Sequence, residues 1–248
     1  MDARTLYPLY NRLEQLTIIN THLKEFPFHV LPVMMKLKEL RLPSNALKLV
    51  PALRSTSLKT LILSNNEIGT LQPGWSLPNL EFLDIRGNPI LTFPSQVVDG
   101  MMNLMVLAAT NCNLGPVLSS GSLVFHSRSL RMVFLQDNNI VKVEPGAISG
   151  LRGDTKIYLL QNNITTLMED SFRPMVEVAS MGHGEIFVND NPLKCEVSMA
   201  WLVLSPDVEQ VLQKVIFFEC LDGTSLLDLL LIRFLHLLLP FQWVYTMV

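Results

Sequence analysis

Apolar positions along this chain recur at a fixed spacing that is neither simply helical nor simply alternating. The spacing L-x-x-L-x-L-x-x-N-x-L fits at Leu37, Leu40, Leu42, Asn45 and Leu47, and again at Leu58, Leu61, Leu63, Asn66 and Ile68. It returns at Leu80, Leu83, Ile85, Asn88 and Ile90, at Leu104, Leu107, Ala109, Cys112 and Leu114, and at Leu130, Val133, Leu135, Asn138 and Ile140. Weaker copies flank these: Leu13, Leu16, Ile18, Thr21 and Leu23 before them, then Ile157, Leu159, Asn162 and Ile164, and last Ile186, Val188, Asn191 and Leu193. About eight units result, with a period of about 21 to 29 residues, too many copies for coincidence.

The spacing predicts a short strand in each unit. Its alternate apolar residues point into a shared core, and the residues between them face the other side of the sheet. Successive strands then stack in parallel into a solenoid. The asparagine slot falls where the chain turns off the strand, and a buried amide there satisfies backbone groups of neighbouring turns. Cys112 stands in that slot once and reads as a small buried hydrophobe rather than a reactive thiol. After the slot come Glu25-Phe26-Pro27, Leu49-Val50-Pro51, Thr92-Phe93-Pro94 and Val143-Glu144-Pro145, where proline fixes the backbone and apolar neighbours pack the convex side. No linker interrupts the chain between Leu13 and Leu193.

Composition narrows the classes. Of 248 residues, 45 are leucine and 49% are hydrophobic, which suits a folded core and excludes disorder. With 19 basic and 22 acidic residues there is no stripe to neutralise several phosphates, so nucleic acid is not an expected partner. Three cysteines without Cys-x-x-Cys or Cys/His spacing imply no metal site. His22, His29, His126, His183 and His236 lie far apart, and no nucleophile elbow, zinc-protease or phosphate-loop pattern is present, so no catalytic residue and no cofactor is expected. Asp84, Arg86 and Asp137 read as solvated charges on repeat strands.

The ends differ from the middle. The start, Met-Asp-Ala-Arg-Thr, is charged at once, with no apolar run of leader length. From Leu226 to Val248 the chain is almost continuously apolar, broken by Asp228, Arg233, His236 and Pro240. This tail is either a membrane anchor or sequence that does not belong to the folded unit. The expected organisation is an N-terminal remnant or cap over 1–12, the array over 13–193, a C-terminal cap over 194–229 and the tail over 230–248. A membrane is a partner only through that tail.

The repeats resemble the extracellular leucine-rich-repeat family, and the end of the array sharpens the likeness. Asn191-Pro192-Leu193-Lys194-Cys195, followed by Met199-Ala200-Trp201-Leu202, is similar to the cysteine-containing cap that closes such solenoids. The stretches Val143-Glu144-Pro145-Gly146-Ala147, Phe172-Arg173-Pro174-Met175, Ala200 to Pro206 and Cys220-Leu221-Asp222-Gly223-Thr224 resemble, more narrowly, arthropod proteins similar to the non-catalytic subunit of oplophorus-luciferin 2-monooxygenase. The resemblance implies an α/β solenoid, a leucine-rich-repeat horseshoe with a parallel sheet on its concave face. It also implies a secreted, non-enzymatic accessory subunit or binding protein. The family cap carries two bridges; here Val197 replaces its second cysteine and none follows Cys220, so the resemblance leaves Cys195 and Cys220 as one bridge. Two reduced thiols are the alternative. Asn163-Ile164-Thr165 is an N-glycosylation tripeptide, an independent pointer to secretion. The alternative to a secreted subunit is a membrane-anchored adhesion or recognition receptor.

The candidate site lies in the middle outward position of each strand, which reads Thr17, Arg41, Ile62, Asp84, Ala108, Phe134, Tyr158 and Phe187. With strands about 4.8 Å apart, the last three rings form a ladder, with Met132, Gln136, Lys156 and Leu160 alongside. An exposed apolar patch rimmed by polar groups implies contact with another protein through the concave face. The other reading is structural: the rings stabilise the sheet, or the terminal cap folds over them.

Overall fold

The computed structural model describes residues 3–91, 93–204, 208–216 and 220–223. The apolar tail from Leu226 lies outside these residues. Among the described residues, nine parallel strands form one sheet in chain order: Gln15–Thr17, Glu39–Arg41, Thr60–Ile62, Phe82–Asp84, Val106–Ala108, Met132–Phe134, Lys156–Tyr158, Glu185–Phe187 and Val215–Ile216. Each strand pairs only with its neighbours in sequence, so the sheet is the inner wall of a right-through coil, a solenoid.

Register follows the template. The central residues Leu16, Leu40, Leu61, Leu83, Leu107, Val133, Ile157, Ile186 and Val215 stand opposite one another along the whole sheet. From Leu40 to Val215 these inward side chains are almost wholly buried, each contributing roughly 1.5 to 3 kcal/mol of apolar burial. A one-residue slip would turn this row out to water, and that penalty fixes the register. The first coil is looser: Leu13, Leu16, Ile18 and Leu23 pack against the core but stay half-buried.

The turn off each strand is equally regular. Asn20, Ser44, Asn65, Gly87, Asn111, Asp137, Gln161 and Asp190 all have positive φ, and each immediately precedes a slot residue. Asn, Asp and Gly tolerate this conformation best. Gly87 has a second constraint, because a Cβ there would collide with the Asn65 side chain.

The slot residues form a continuous hydrogen-bond ladder. The Asn66 amide donates to the carbonyls of Leu42, Leu63 and Ser64, and its oxygen accepts from the Leu47 N–H. Asn138 donates to Ala109 and Gln136 and accepts from Cys112 and Leu114; Asn162 accepts in turn from Asn138 and Ile140. Cys112 donates its thiol to the Ile85 carbonyl at 3.1 Å, filling half of the asparagine's role. It has no amide oxygen to receive the Ile90 N–H, which is taken by the carbonyls of Asn88 and Cys112.

The outer side carries little helix. Short parallel pairs such as Leu49–Val50 with Thr70–Leu71, and Val117–Leu118 with Lys142–Val143, alternate with turns. Their segments are short, β-branched and proline-bearing, which disfavours helix. Gln96–Asp99 and Phe28–Val33 are short helical segments, and the longest described helix is Glu169–Ser180, whose Phe172, Met175, Val176 and Ala179 recur at helical spacing and are buried on the core. At the C-terminal end Cys195 and Cys220 form a disulfide with Cα atoms 5.8 Å apart. Trp201 seals the core there, its indole N–H donating to the Leu167 carbonyl at 2.7 Å.

Candidate functional site

The outward-facing middle residues run in register from Thr17 through Arg41, Ile62, Asp84, Ala108, Phe134, Tyr158 and Phe187 to Ile216. Because Phe134, Tyr158 and Phe187 occupy equivalent positions on consecutive strands, strand spacing alone sets their rings face to face. Centroids are 4.7 Å apart in both pairs, with interplanar angles of 16° and 1°. Such stacking adds about 0.5 to 1.5 kcal/mol per pair beyond burial.

All seven residues singled out from the sequence lie together on this end of the concave sheet. Met132, Lys156 and Glu185 form the row beside the rings on one side, and Gln136 and Leu160 follow Phe134 and Tyr158 on the other. They are half-buried rather than fully exposed, because each ring covers its neighbour's face and leaves edges to solvent. Lys156 is salt-bridged to Glu185 and its ammonium stands 6.0 Å from the centre of the Phe187 ring. The hydrogen bond that Lys156 donates to the Glu185 carboxylate raises the Lys156 pKa above its ordinary value, so this flank carries a neutralised ion pair. Thr110 donates to the Gln136 side-chain oxygen at 3.0 Å, fixing that amide.

Two features were not read from the sequence. Ile216 extends the outward row beyond the aromatic residues, on a ninth strand of only two residues that lacks the repeat template. Asp84 is not a solvated charge: its side chain is 2% exposed. Arg86 reaches back over it, donating from Nε at 2.9 Å and Nη2 at 2.8 Å, and the Arg86 backbone N–H donates to the same carboxylate. With Ile62 and small Ala108 on either side, this carboxylate is clasped by one arginine, and that partnership raises the arginine pKa. Arg86 and Asp137 remain on the surface, as read.

The other polar groups stay dispersed. His22, His29, His126 and His183 are exposed and far apart, with His126 2.7 Å from Asp99. His236 lies outside the described residues. Among the described residues, no group of three or more His, Cys, Asp or Glu side chains is placed to hold a metal ion. Burial pushes the Cys112 thiol up to about 12, far from thiolate reactivity. Asn163 is exposed on the turn after its slot.

Family models decide what the units are: one described as Leucine Rich repeats (2 copies) matches residues 56–96, and one described as Leucine rich repeat matches residues 128–181. The matched stretches are leucine-rich repeats, and the array as a whole has their fold. A curated relative, the oplophorus-luciferin 2-monooxygenase non-catalytic subunit of Oplophorus gracilirostris, is 28% identical over 203 residues, 79% of this chain. The chain spans about half of that relative's length, 54%. Among solved structures, the leucine-rich-repeat fold is shared with human 5T4 (Wnt-activated inhibitory factor 1, trophoblast glycoprotein), at a TM-score of 0.60 and 20% identity over 88% of this chain and 84% of that one. It is shared too with a chain of the octameric complex of Latrophilin 3, Unc5D and FLRT2, at a TM-score of 0.56 and 17% identity over 86% of this chain and 73% of that one. Among the described residues, no helix is long and apolar enough to cross a membrane.

Proposed function

We propose that this leucine-rich-repeat chain is a non-enzymatic, secreted scaffold that binds another protein through its concave face, as the accessory subunit of a larger assembly. The observation that carries the reading is the in-register stack of Phe134, Tyr158 and Phe187. Three large rings are held rigid by neighbouring strands, so little conformational entropy is lost when a partner covers their edges. Aromatic anchors on a preorganised surface are the usual centres of interface energy. Met132 and Leu160 extend the apolar area, and Gln136 with the Lys156–Glu185 pair supplies a polar rim. The name of the Oplophorus relative, a non-catalytic subunit, supports an accessory role.

The test is side-chain oxidation footprinting of the chain with the protein that co-purifies with it. Protection of Met132, Tyr158 and Phe187 on partner binding supports the reading. Protection confined to the outer side, with these three unchanged, refutes it.

A second reading, a membrane-anchored recognition receptor, is favoured by the apolar run from Leu226 to Val248. Alkaline carbonate extraction separates the two, since an anchored chain stays with the membrane pellet.

A further inference from the structure

We propose that Asn163 carries an N-linked glycan: its place one residue beyond the buried asparagine ladder exposes its amide, and Thr165 distinguishes it from the equivalent asparagines of other repeats. The proposal deepens the reading above, because it rests on passage through a secretory route.

Two adjacent asparagines divide the work. Asn162 is buried, donating to the carbonyls of Leu135, Leu159 and Leu160 and accepting from Asn138 and Ile140, so its amide is spent inside the solenoid. Asn163 is exposed, and its side chain makes no hydrogen bond to any described residue. Its backbone is nonetheless fixed: the Asn163 N–H donates to the Ile140 carbonyl at 2.8 Å, and the Ile164 N–H to the Asn191 side-chain oxygen at 2.9 Å. Thr165, the hydroxyl that the acceptor tripeptide needs, is half-buried on the same turn, where its carbonyl accepts from the Lys194 N–H.

The repeat supplies its own comparison. The position after the slot is also asparagine in the two preceding units, Asn113 and Asn139, and both are exposed. They are followed two residues on by Gly115 and Val141, which carry no hydroxyl. Three equivalent asparagines therefore face solvent, and Thr165 singles out one. The donor is an oligosaccharide linked to a lipid diphosphate: Asn163 Nδ2 bonds to the anomeric carbon, the lipid diphosphate leaves, and the amide gives up one proton. Asn163 lies beyond Gln161, where the chain turns off the strand. The glycan then projects from the flank of the sheet and leaves the aromatic ladder open.

The experiment expresses the chain behind a heterologous secretory leader in insect cells and reads gel mobility with and without peptide-N-glycosidase. One enzyme-sensitive step is expected. It is lost in Asn163→Gln and in Thr165→Ala, and Val141→Thr adds a second step by completing a tripeptide at Asn139. A secreted chain with no enzyme-sensitive step overturns the proposal, as does a step that persists in Asn163→Gln, or modification in Val141→Thr of Asn139 alone. Because the leader is supplied, these outcomes do not depend on where the native chain resides. The compartment of the native protein, found by fractionation, judges the secretion reading separately.

Discussion

At the scale of single residues, the solenoid is held by polar groups that have given up water. Asn138 satisfies two backbone N–H groups and two carbonyls, so Asn138→Ala strands the N–H groups of Cys112 and Leu114 and the Ala109 carbonyl, while the Gln136 carbonyl keeps the Asn111 N–H. We expect a loss of about 2 to 4 kcal/mol in denaturant unfolding, more than a surface asparagine would show. Cys112 gives the pH dependence a sign. Its buried thiol, pushed up to about 12, keeps a proton that the unfolded chain releases near its ordinary value of about 8.5. The unfolded state then binds fewer protons, so stability falls as pH rises from about 8.5 toward 12. The wild-type curve should drop relative to Cys112→Ala over that range; parallel curves would refute the burial argument. Asp84 makes a third case. Arg86→Met leaves its carboxylate buried without its clasp, and Asp84→Asn in the same chain should restore much of the stability lost.

The elements show what a sequence pattern can and cannot carry. Eight strands and the ladder of slot asparagines were legible because each unit repeats the same constraint, an inward apolar residue at the strand centre and an amide at the turn. Phe134, Tyr158 and Phe187 could be placed side by side because the template fixes register without reference to tertiary structure. The ninth strand was not legible. Val215–Ile216 is two residues long and carries no slot, so only its docking on Glu185–Phe187 defines it. Burial of Asp84 was likewise hidden, since it depends on Arg86 bending back, a matter of side-chain conformation that spacing does not encode. Cys220 closes the loop that contains the ninth strand. Separating Cys195 and Cys220, 25 residues apart, by Cys220→Ser should cost about 3 kcal/mol and loosen that strand. Hydrogen exchange at Val215 and Ile216 reads this directly, with exchange rising there well before it rises at Leu83 or Leu107.

For the whole molecule, the division between inner and outer surfaces is the central matter. The core row, the slot ladder and the terminal disulfide make one coil that presents its strands rigidly, and the aromatic stack stands at the end nearest the disulfide-closed cap. The rings are attached to strands whose inward residues hold the fold, so removing the rings should change the surface more than the stability. The decisive measurement is the dissociation constant of the co-purifying partner for wild-type chain and for Phe134→Ala with Tyr158→Ala, each with its melting temperature. If the concave stack is the contact, affinity falls about thirtyfold or more, as expected for losing roughly 2 kcal/mol at an interface centre, while melting shifts by only a few degrees. Unchanged affinity in a folded double variant would contradict the account.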